Sequence, residues 1–465
     1  MRSCKLVWYK CLSFFVVANI YIILLNYILY ILLYNKSIGI LENYVTTRII
    51  IFTSLIYLLV YVFLLWQWEG LLIGKRRILD LVFAHFITSL VVNIFVFVIC
   101  WVFYLISVIQ GIFLTVTLTL VQTIIGCSWV MFMHRIYEKM HFNKGTLFVY
   151  GSKDNPQEYI GMQSVIHKYF QISESICYFE GIEILKNKIL QSKIVYLGDI
   201  PTQLRNELLK FCMKSKIEAY SFTKISDIYI HSAELRQLHD KILFEYPYIG
   251  IKQWEKAIKR MFDICISIVL LIGLSPVLLI VAFCIKLGDG GPIFYNQPRV
   301  TCNSQPFLMH KFRSMQVDAE CTGARMACKN DSRVTNVGRV IRNLHIDELP
   351  QLINVLKGEM SLVGPRPERK EFIEEYSKEI PEFSERLKVQ GGLTGYAQIY
   401  GRYNTSPEDK IKYDLYYIYN YSIWLDIKIF VLTIRILFQR ENTEGVEEGQ
   451  ENALEKNRYQ PIGYE

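Results

Sequence analysis

Asp347 and Glu348 are adjacent carboxylates in a stretch from Asn330 to Glu368 that also holds Arg333, Arg339, Arg342 and Gly364-Pro365-Arg366-Pro367-Glu368. Arg299, Lys311 and Arg313 lie just upstream. A guanidinium is a planar fork that matches phosphate oxygens. A carboxylate pair can hold Mg²⁺, which bridges substrate phosphates. A carboxylate can also attack phosphorus and form an acyl phosphate. Prolines on both sides of Arg366 restrict the backbone, so its side chain is presented at a defined place. Blander readings exist for each group. Asp347-Glu348 can cap the helix that begins near Leu349, Arg339 and Arg342 can snorkel to lipid headgroups, and His310 and His345 can be structural. Spacing alone supports a membrane-bound enzyme that acts on phosphates.

The elements that must position this cluster begin in a membrane. The chain has 465 residues, 52% hydrophobic and only 20% charged. Its mean hydropathy is +0.23. Fibrous and disulfide-scaffold classes are excluded on these grounds, and a wholly soluble protein is disfavoured. Charge-free runs extend from Cys11 to Asn35, from Ile49 to Trp68 and from Leu81 to Met133. One helix needs about 20 residues to cross, so the third run holds two helices with a hairpin near Ser107–Gly111. Four spans are expected. Basic residues gather before the first (Arg2, Lys5, Lys10), between the second and third (Lys75, Arg76, Arg77) and after the fourth (Arg135, Lys139, Lys144). The positive-inside rule then places both ends of this bundle in the cytosol. No span carries a carboxylate, which disfavours an ion-coupled transporter. The 11 cysteines are dispersed and read as reduced thiols.

From Gly145 the pattern becomes soluble. Strands are expected at Thr146–Tyr150, Ser175–Phe179, Lys193–Leu197 and Ile217–Phe222, with a helix at Pro201–Lys214. Alternating strands and helices imply a parallel α/β sheet, here a Rossmann-like module. Its first turn offers Gly151 alone, not Gly-x-Gly-x-x-Gly, so a structural or regulatory role is favoured over dinucleotide binding. Lys224–Lys252 reads as a linker.

A fifth apolar run, Ile264–Ile285, is interrupted by Ser275-Pro276. Proline removes a helix hydrogen bond. Both flanks are basic, so a helix that breaks, dips into the bilayer and returns keeps both inside, with Ser275 satisfying a carbonyl freed by the break. Asp263 can pair with the local Lys and Arg. A kinked fifth span is the alternative. Tyr413, Tyr416, Tyr417, Tyr419, Tyr421 and Trp424 suit an interfacial belt or an ordinary core. The segment after Glu441 is rich in glutamate and reads as disordered.

Taken in order, Lys259-Arg260-Met261-Phe262-Asp263, Ser275-Pro276, Lys311-Phe312-Arg313-Ser314-Met315, Asp347 through Glu368, and Gly392-Leu393-Thr394-Gly395 resemble the bacterial sugar transferases, the monotopic polyprenyl-phosphate phosphoglycosyl transferases. The likeness covers roughly 254–438. Four spans plus an α/β module resemble the large subfamily, which begins capsule, exopolysaccharide or O-antigen synthesis. The resemblance implies transfer of sugar 1-phosphate from a UDP-sugar to undecaprenyl phosphate, with Mg²⁺ required and UMP released. It implies that Asp347 is the nucleophile, giving a covalent phospho-sugar intermediate, and that Glu348 coordinates the metal. Arg342 and Arg366 match phosphate- and nucleotide-contacting arginines, with Lys311, Arg313 and Arg299 as further phosphate-binding candidates. Lys259, Arg260, Asp263, Ser275 and Pro276 match the re-entrant helix, which favours the dip. Two departures stand out: Gln390-Gly391 replaces the family's Arg-Pro, and Thr301 stands where glycine is common.

The expected architecture is a membrane protein of class α plus α/β. It has a four-span bundle (1–140), a Rossmann-like domain (141–250), a catalytic domain (251–440) with its re-entrant helix at 257–286, and an acidic tail (441–465). It is expected to be multi-pass in a bacterial inner membrane, with a cytoplasmic catalytic face. Expected partners are a UDP-sugar, undecaprenyl phosphate and membrane lipid, with room for a homodimer and no nucleic acid. A catalytically degenerate scaffold for polysaccharide assembly is the alternative.

Overall fold

The computed structural model describes residues 44–73, 76, 78–104, 108–141, 145–151, 172–246, 251–316, 333–401 and 405–436. The chain divides into two compact units, Met1–Phe222 and Thr223–Glu465. The first expected span and the acidic tail lie outside the described residues.

The first unit opens with helices α1 (Tyr44–Gln67), α2 (Ile78–Tyr104) and α3 (Val108–His141). Of these, α2 and α3 are long and apolar enough to cross a membrane, and the apolar part of α1 is shorter. The long charge-free run does hold two helices, the first ending at Tyr104 and the second starting at Val108. Gly111 is therefore inside α3, where the ring of Phe97 leaves no room for a Cβ. Between the helices runs a polar seam that hydropathy does not reveal. Asn93 Nδ2 donates to Thr119 Oγ1 and Gln122 Oε1, both at 2.9 Å, and Gln122 Nε2 reaches the Tyr57 hydroxyl at 2.6 Å. Such bonds join helices in lipid, where apolar contact alone is not selective.

Strands β1 (Thr146–Tyr150), β2 (Glu174–Cys177), β3 (Ile194–Leu197) and β4 (Glu218–Ser221), with helices α4 (Ile182–Gln191) and α5 (Thr202–Ser215), complete this unit. The sheet is parallel throughout, in the order β2-β1-β3-β4. Leu147, Val149, Val195 and Leu197 bury one face with Leu185 and Ile189 of α4 and Leu208 of α5. The other face presents Phe148, Ile194 and Tyr196. Near-continuous apolar strands are what a sheet covered on both faces requires. After β1, the carbonyl of Asp199 occupies the space where a Cβ on Gly151 would lie.

The second unit begins with α6 (Ile225–Ser232) and a hairpin of β5 (Glu234–Leu238) and β6 (Lys241–Glu245). The expected linker is thus largely structured. Ile228 of α6 is buried among Val300, Ile373, Tyr376, Phe383, Ile411 and Leu415, so this stretch packs with the segment that follows it. Then come α7 (Gln253–Asp289), the antiparallel pair β7 (Phe294–Val300) and β8 (Pro306–Phe312), α8 (Asn336–Asn343), α9 (Gln351–Lys357), β9 (Ser361–Val363), α10 (Lys370–Glu379), β10 (Gly392–Thr394), α11 (Tyr396–Tyr400), α12 (Pro407–Tyr419) and α13 (Ile423–Ile436). Strands β9 and β10 pair in parallel.

Helix α7 is the third helix apolar enough to cross a membrane. It is one helix with Pro276 inside it, not two helices separated by a break. The reason is local. Pro276 has no N–H to give the carbonyl of Ile272, one turn back. The Ser275 hydroxyl donates to that carbonyl at 2.7 Å instead.

The base of α7 is tied down by the motif residues. Lys259 Nζ donates to Val363 O at 2.8 Å and to Asp426 Oδ2 at 2.6 Å, with all three groups buried. Arg260 caps the C-terminus of α9 through Val355 O at 2.6 Å and Leu356 O at 2.7 Å. Asp263 Oδ1 accepts the Leu362 amide at 3.0 Å. The expected pairing of Asp263 with the neighbouring bases is therefore corrected: its hydrogen bond is to a backbone amide, and Lys259 pairs with Asp426. Lys259→Met should lower stability by about 3 kcal/mol, the low end for a broken buried pair. The low end applies because the Tyr417 hydroxyl, at 2.7 Å, still donates to Asp426. A thermal melt of the full chain in detergent checks this.

Of the C-terminal aromatics, Tyr417 belongs to the interior and the other five are half-buried. Tyr417 is 1% exposed. Tyr416 lies tilted against Tyr396, Tyr419 meets Tyr229 edge-on, and none of the six is exposed.

Candidate active site

Asp347 and Glu348 occupy a single 3-10 turn, Ile346–Glu348, between α8 and α9. His345 enters it with φ of 55°, a left-handed conformation uncommon for a residue with a Cβ. Pro350 then starts α9 with no side-chain cap. The capping reading therefore fails: the two acids are presented by an irregular turn. Behind them α9 is fixed by Asn354, fully buried, which donates to Leu308 O at 2.7 Å and accepts the His310 amide at 3.0 Å. This welds α9 to β8 and so sets the turn against Lys311.

The two acids differ in surroundings. Glu348 is gripped from two sides. Lys311 Nζ lies 3.0 Å from Oε1, Arg366 Nη1 donates to Oε2 at 3.1 Å, and Arg366 Nη2 bonds Oε1. Burial alone would raise its pKa, but Arg366 and Lys311 hold it well below the ordinary carboxylate range. Asp347 makes no hydrogen bond or ion pair among the described residues. Burial, and then the Glu348 charge, push its pKa up to about 6, against the pull of Lys311, Arg342 and Arg366. Raised pKa values of this kind cluster at functional sites, and structural ion-pair networks produce them as well.

The other predicted residues are placed as follows. Arg342 is in the last turn of α8, half-buried, with its charge acting on Asp347. Arg299 turns away from the acids. It bonds Gln297 Oε1, Pro367 O at 3.2 Å and Glu368 Oε2 at 2.9 Å. Arg313 is 6% exposed and packs against Gly291, at the mouth of α7. The structure therefore brings Asp347, Glu348, Lys311, Arg342 and Arg366 together and makes Arg299 a support for the loop behind them.

The family model described as Bacterial sugar transferase matches residues 254–440. A UDP-N-acetylgalactosamine-undecaprenyl-phosphate N-acetylgalactosaminephosphotransferase of Aeromonas hydrophila is 40% identical over 229 residues, 49% of this chain and 53% of that protein. This chain thus spans about half the length of that relative. Galactosyl transferase CpsE of Streptococcus agalactiae is 32% identical over 344 residues, 65% of this chain and 74% of that one. The uncharacterized sugar transferase EpsL of Bacillus subtilis is 40% identical over 187 residues, 90% of its length. The chain belongs to the bacterial sugar transferase family.

Within the sugar transferase segment, the two departures noted in the sequence meet each other. The Gly391 amide, which a proline could not supply, donates to Thr301 Oγ1 at 3.1 Å. Gln390 Nε2 bonds Gly358 O. Each change thus has a partner, and the loop before Gly392 keeps a fixed course without the proline. Sequence reading missed Asn354, Arg386, Asp414 and Asp426. A signal existed for two of them. Asp414 lies on the Ile411-Leu415-Ile418 stripe of α12, and Asp426 lies one turn before Ile429. An acid on an apolar stripe needs a buried partner.

Proposed function

We propose that this chain transfers a sugar 1-phosphate from a UDP-sugar to undecaprenyl phosphate, giving undecaprenyl-diphosphate-sugar and UMP. One observation carries the reading: among the described residues Asp347 is the carboxylate without a hydrogen bond, beside Glu348, which Lys311 and Arg366 hold in place. Asp347 attacks the phosphorus that bears the sugar, UMP departs, and the acyl phosphate formed is then attacked by the lipid phosphate. Arg342 and Arg366 face the charge that develops on the transferred phosphoryl group.

The donor set suits Mg²⁺. That ion is usually held by one or two carboxylates together with substrate phosphates. Among the described residues Asp347 has no hydrogen bond, and Glu348 Oε2 accepts one, from Arg366 Nη1, with a lone pair to spare. Glu348 would hold the metal, which when bound supplies charge stabilisation to the phosphates.

The same reading makes the chain a multi-pass protein of a bacterial inner membrane. Four N-terminal spans precede a Rossmann-like module, α7 bends at Pro276 without breaking and turns back within the bilayer, and the acids face the cytosol. Its support is chemical: a UDP-sugar is cytosolic, and a shallow helix keeps the turn at headgroup level where the lipid phosphate lies. In this reading the reaction opens exopolysaccharide, capsule or O-antigen synthesis.

The test is UMP release from a panel of UDP-sugars by the purified full chain with undecaprenyl phosphate and Mg²⁺. The relatives' names differ in the sugar, so the panel must include glucose, galactose and N-acetylgalactosamine donors. Release from one donor supports the reading. Silence for every donor with folded protein sinks it in favour of a scaffold. Because the nucleophile must be ionised, the rate should fall as pH drops, with a midpoint at or below about 6. A cation bound beside Asp347 moves that midpoint down, not up.

A further inference from the structure

The loop that carries Arg366 has four consecutive carbonyls, and each is taken by a different donor. Gly392 N–H bonds Pro365 O at 2.9 Å, Arg386 Nη2 bonds Arg366 O at 2.9 Å, Arg299 Nη1 bonds Pro367 O at 3.2 Å, and Val300 N–H bonds Glu368 O at 3.1 Å. Residues 365 and 367 are prolines and donate nothing. The course of this loop is therefore set from behind, by donors on other elements.

Arg386 is the unusual member. Its side chain is 6% exposed and its partner Asp414 2% exposed, with Nη2 2.9 Å from Oδ2. The guanidinium also lies 4.8 Å from the centre of the Phe383 ring. Glu368 and Lys410 are the other charged groups near the pair. Stability alone gives little reason for such a pair, since a buried ion pair roughly breaks even against an apolar one of the same volume. What an apolar pair cannot do is place a charged donor on the carbonyl of Arg366. A charge-assisted bond there is short and directional. The amide plane it fixes is the one from which the Arg366 side chain leaves to fork onto Glu348.

We propose that Arg386, oriented by Asp414, is a positioning residue that sets the Arg366 guanidinium onto Glu348. This rests on the reading of the Asp347–Glu348 turn as the reacting centre.

The experiment is a double-mutant cycle on the full chain, with Arg386→Met, Arg366→Ala and the pair, read both as UMP release and as thermal midpoint. Arg386→Met should lower kcat roughly 10- to 100-fold, the usual cost of a misplaced group, with donor KM within about twofold. Arg386→Lys, which can still donate to one carbonyl, should recover part of the loss. In the Arg366→Ala background Arg386→Met should cost almost nothing further, because residues that act as a unit are not additive. Additive losses overturn the proposal, as does a fall in midpoint with kcat unchanged. If the wild-type protein releases no UMP from any donor, the activity reading has failed. The midpoint cycle then decides alone: coupled losses support the positioning role and additive ones end it.

Discussion

Asp347→Asn should abolish UMP release and leave the fold intact. The change keeps the shape of the side chain and removes only its nucleophilic oxygen charge. Asp347 makes no hydrogen bond among the described residues, so no native bond there is lost. Relief of its repulsion with Glu348, which helps raise the Asp347 pKa, should leave the midpoint of a thermal melt unchanged or slightly higher. Removal of a covalent nucleophile typically costs at least ~10⁴-fold. The decisive measurement is intact mass of the protein incubated with donor and Mg²⁺ but no lipid. Wild type should gain the mass of one sugar phosphate and release one equivalent of UMP, and the Asn variant should do neither. An Asn variant that keeps a tenth of the turnover would end the covalent reading.

The sequence shows the parts of this site but not what holds them. The strands of the α/β module, the helix at Thr202–Ser215 and the apolar α7 each follow from a local periodicity, and the structure agrees with them within a few residues. Asp347, Glu348 and Arg366 stand out because polar groups crowd a short stretch. The supports are invisible for the opposite reason. Lys259 meets Asp426 across 167 residues, and Asn354 meets Leu308 across 46. No period in the chain encodes those distances. Arg299 shows the converse. Its position near the cluster suggested a phosphate ligand, yet its guanidinium is used on Gln297, Pro367 and Glu368. An arginine beside a phosphate site can serve the loop rather than the substrate, and only geometry separates the two. The polar seam of the N-terminal helices is similar: hydropathy reads Asn93 and Gln122 as minor interruptions, whereas they bond to each other.

Glu348→Gln is the second large effect, and it should appear in two observables that move in different ways. The carboxylate pairs with both Lys311 and Arg366. An amide leaves those two cations partly buried with only the weaker opposition of Asp347 and, for Arg366, Glu368, which puts the cost at the low end for a broken buried pair, about 3 kcal/mol. Arg366 also loses its fork, so turnover should fall on the order of 10²- to 10³-fold, as when a preorganised charge is removed from a reacting centre. The pH dependence gives the sign test. Glu348 in the folded protein has its pKa well below its ordinary 4.5. Its contribution to stability is therefore present above pH 4.5 and is lost as pH falls through the folded value. The gap in thermal midpoint between wild type and the Gln variant should be widest at neutral pH and should narrow in acid. The residual activity should shift the opposite way to a simple loss of function. The Glu348 charge helps hold the Asp347 pKa up, so its removal should move the acid limb of the rate profile to lower pH. A variant whose stability gap is flat with pH, or whose acid limb moves up, would show that Lys311 and Arg366 do not meet at Glu348.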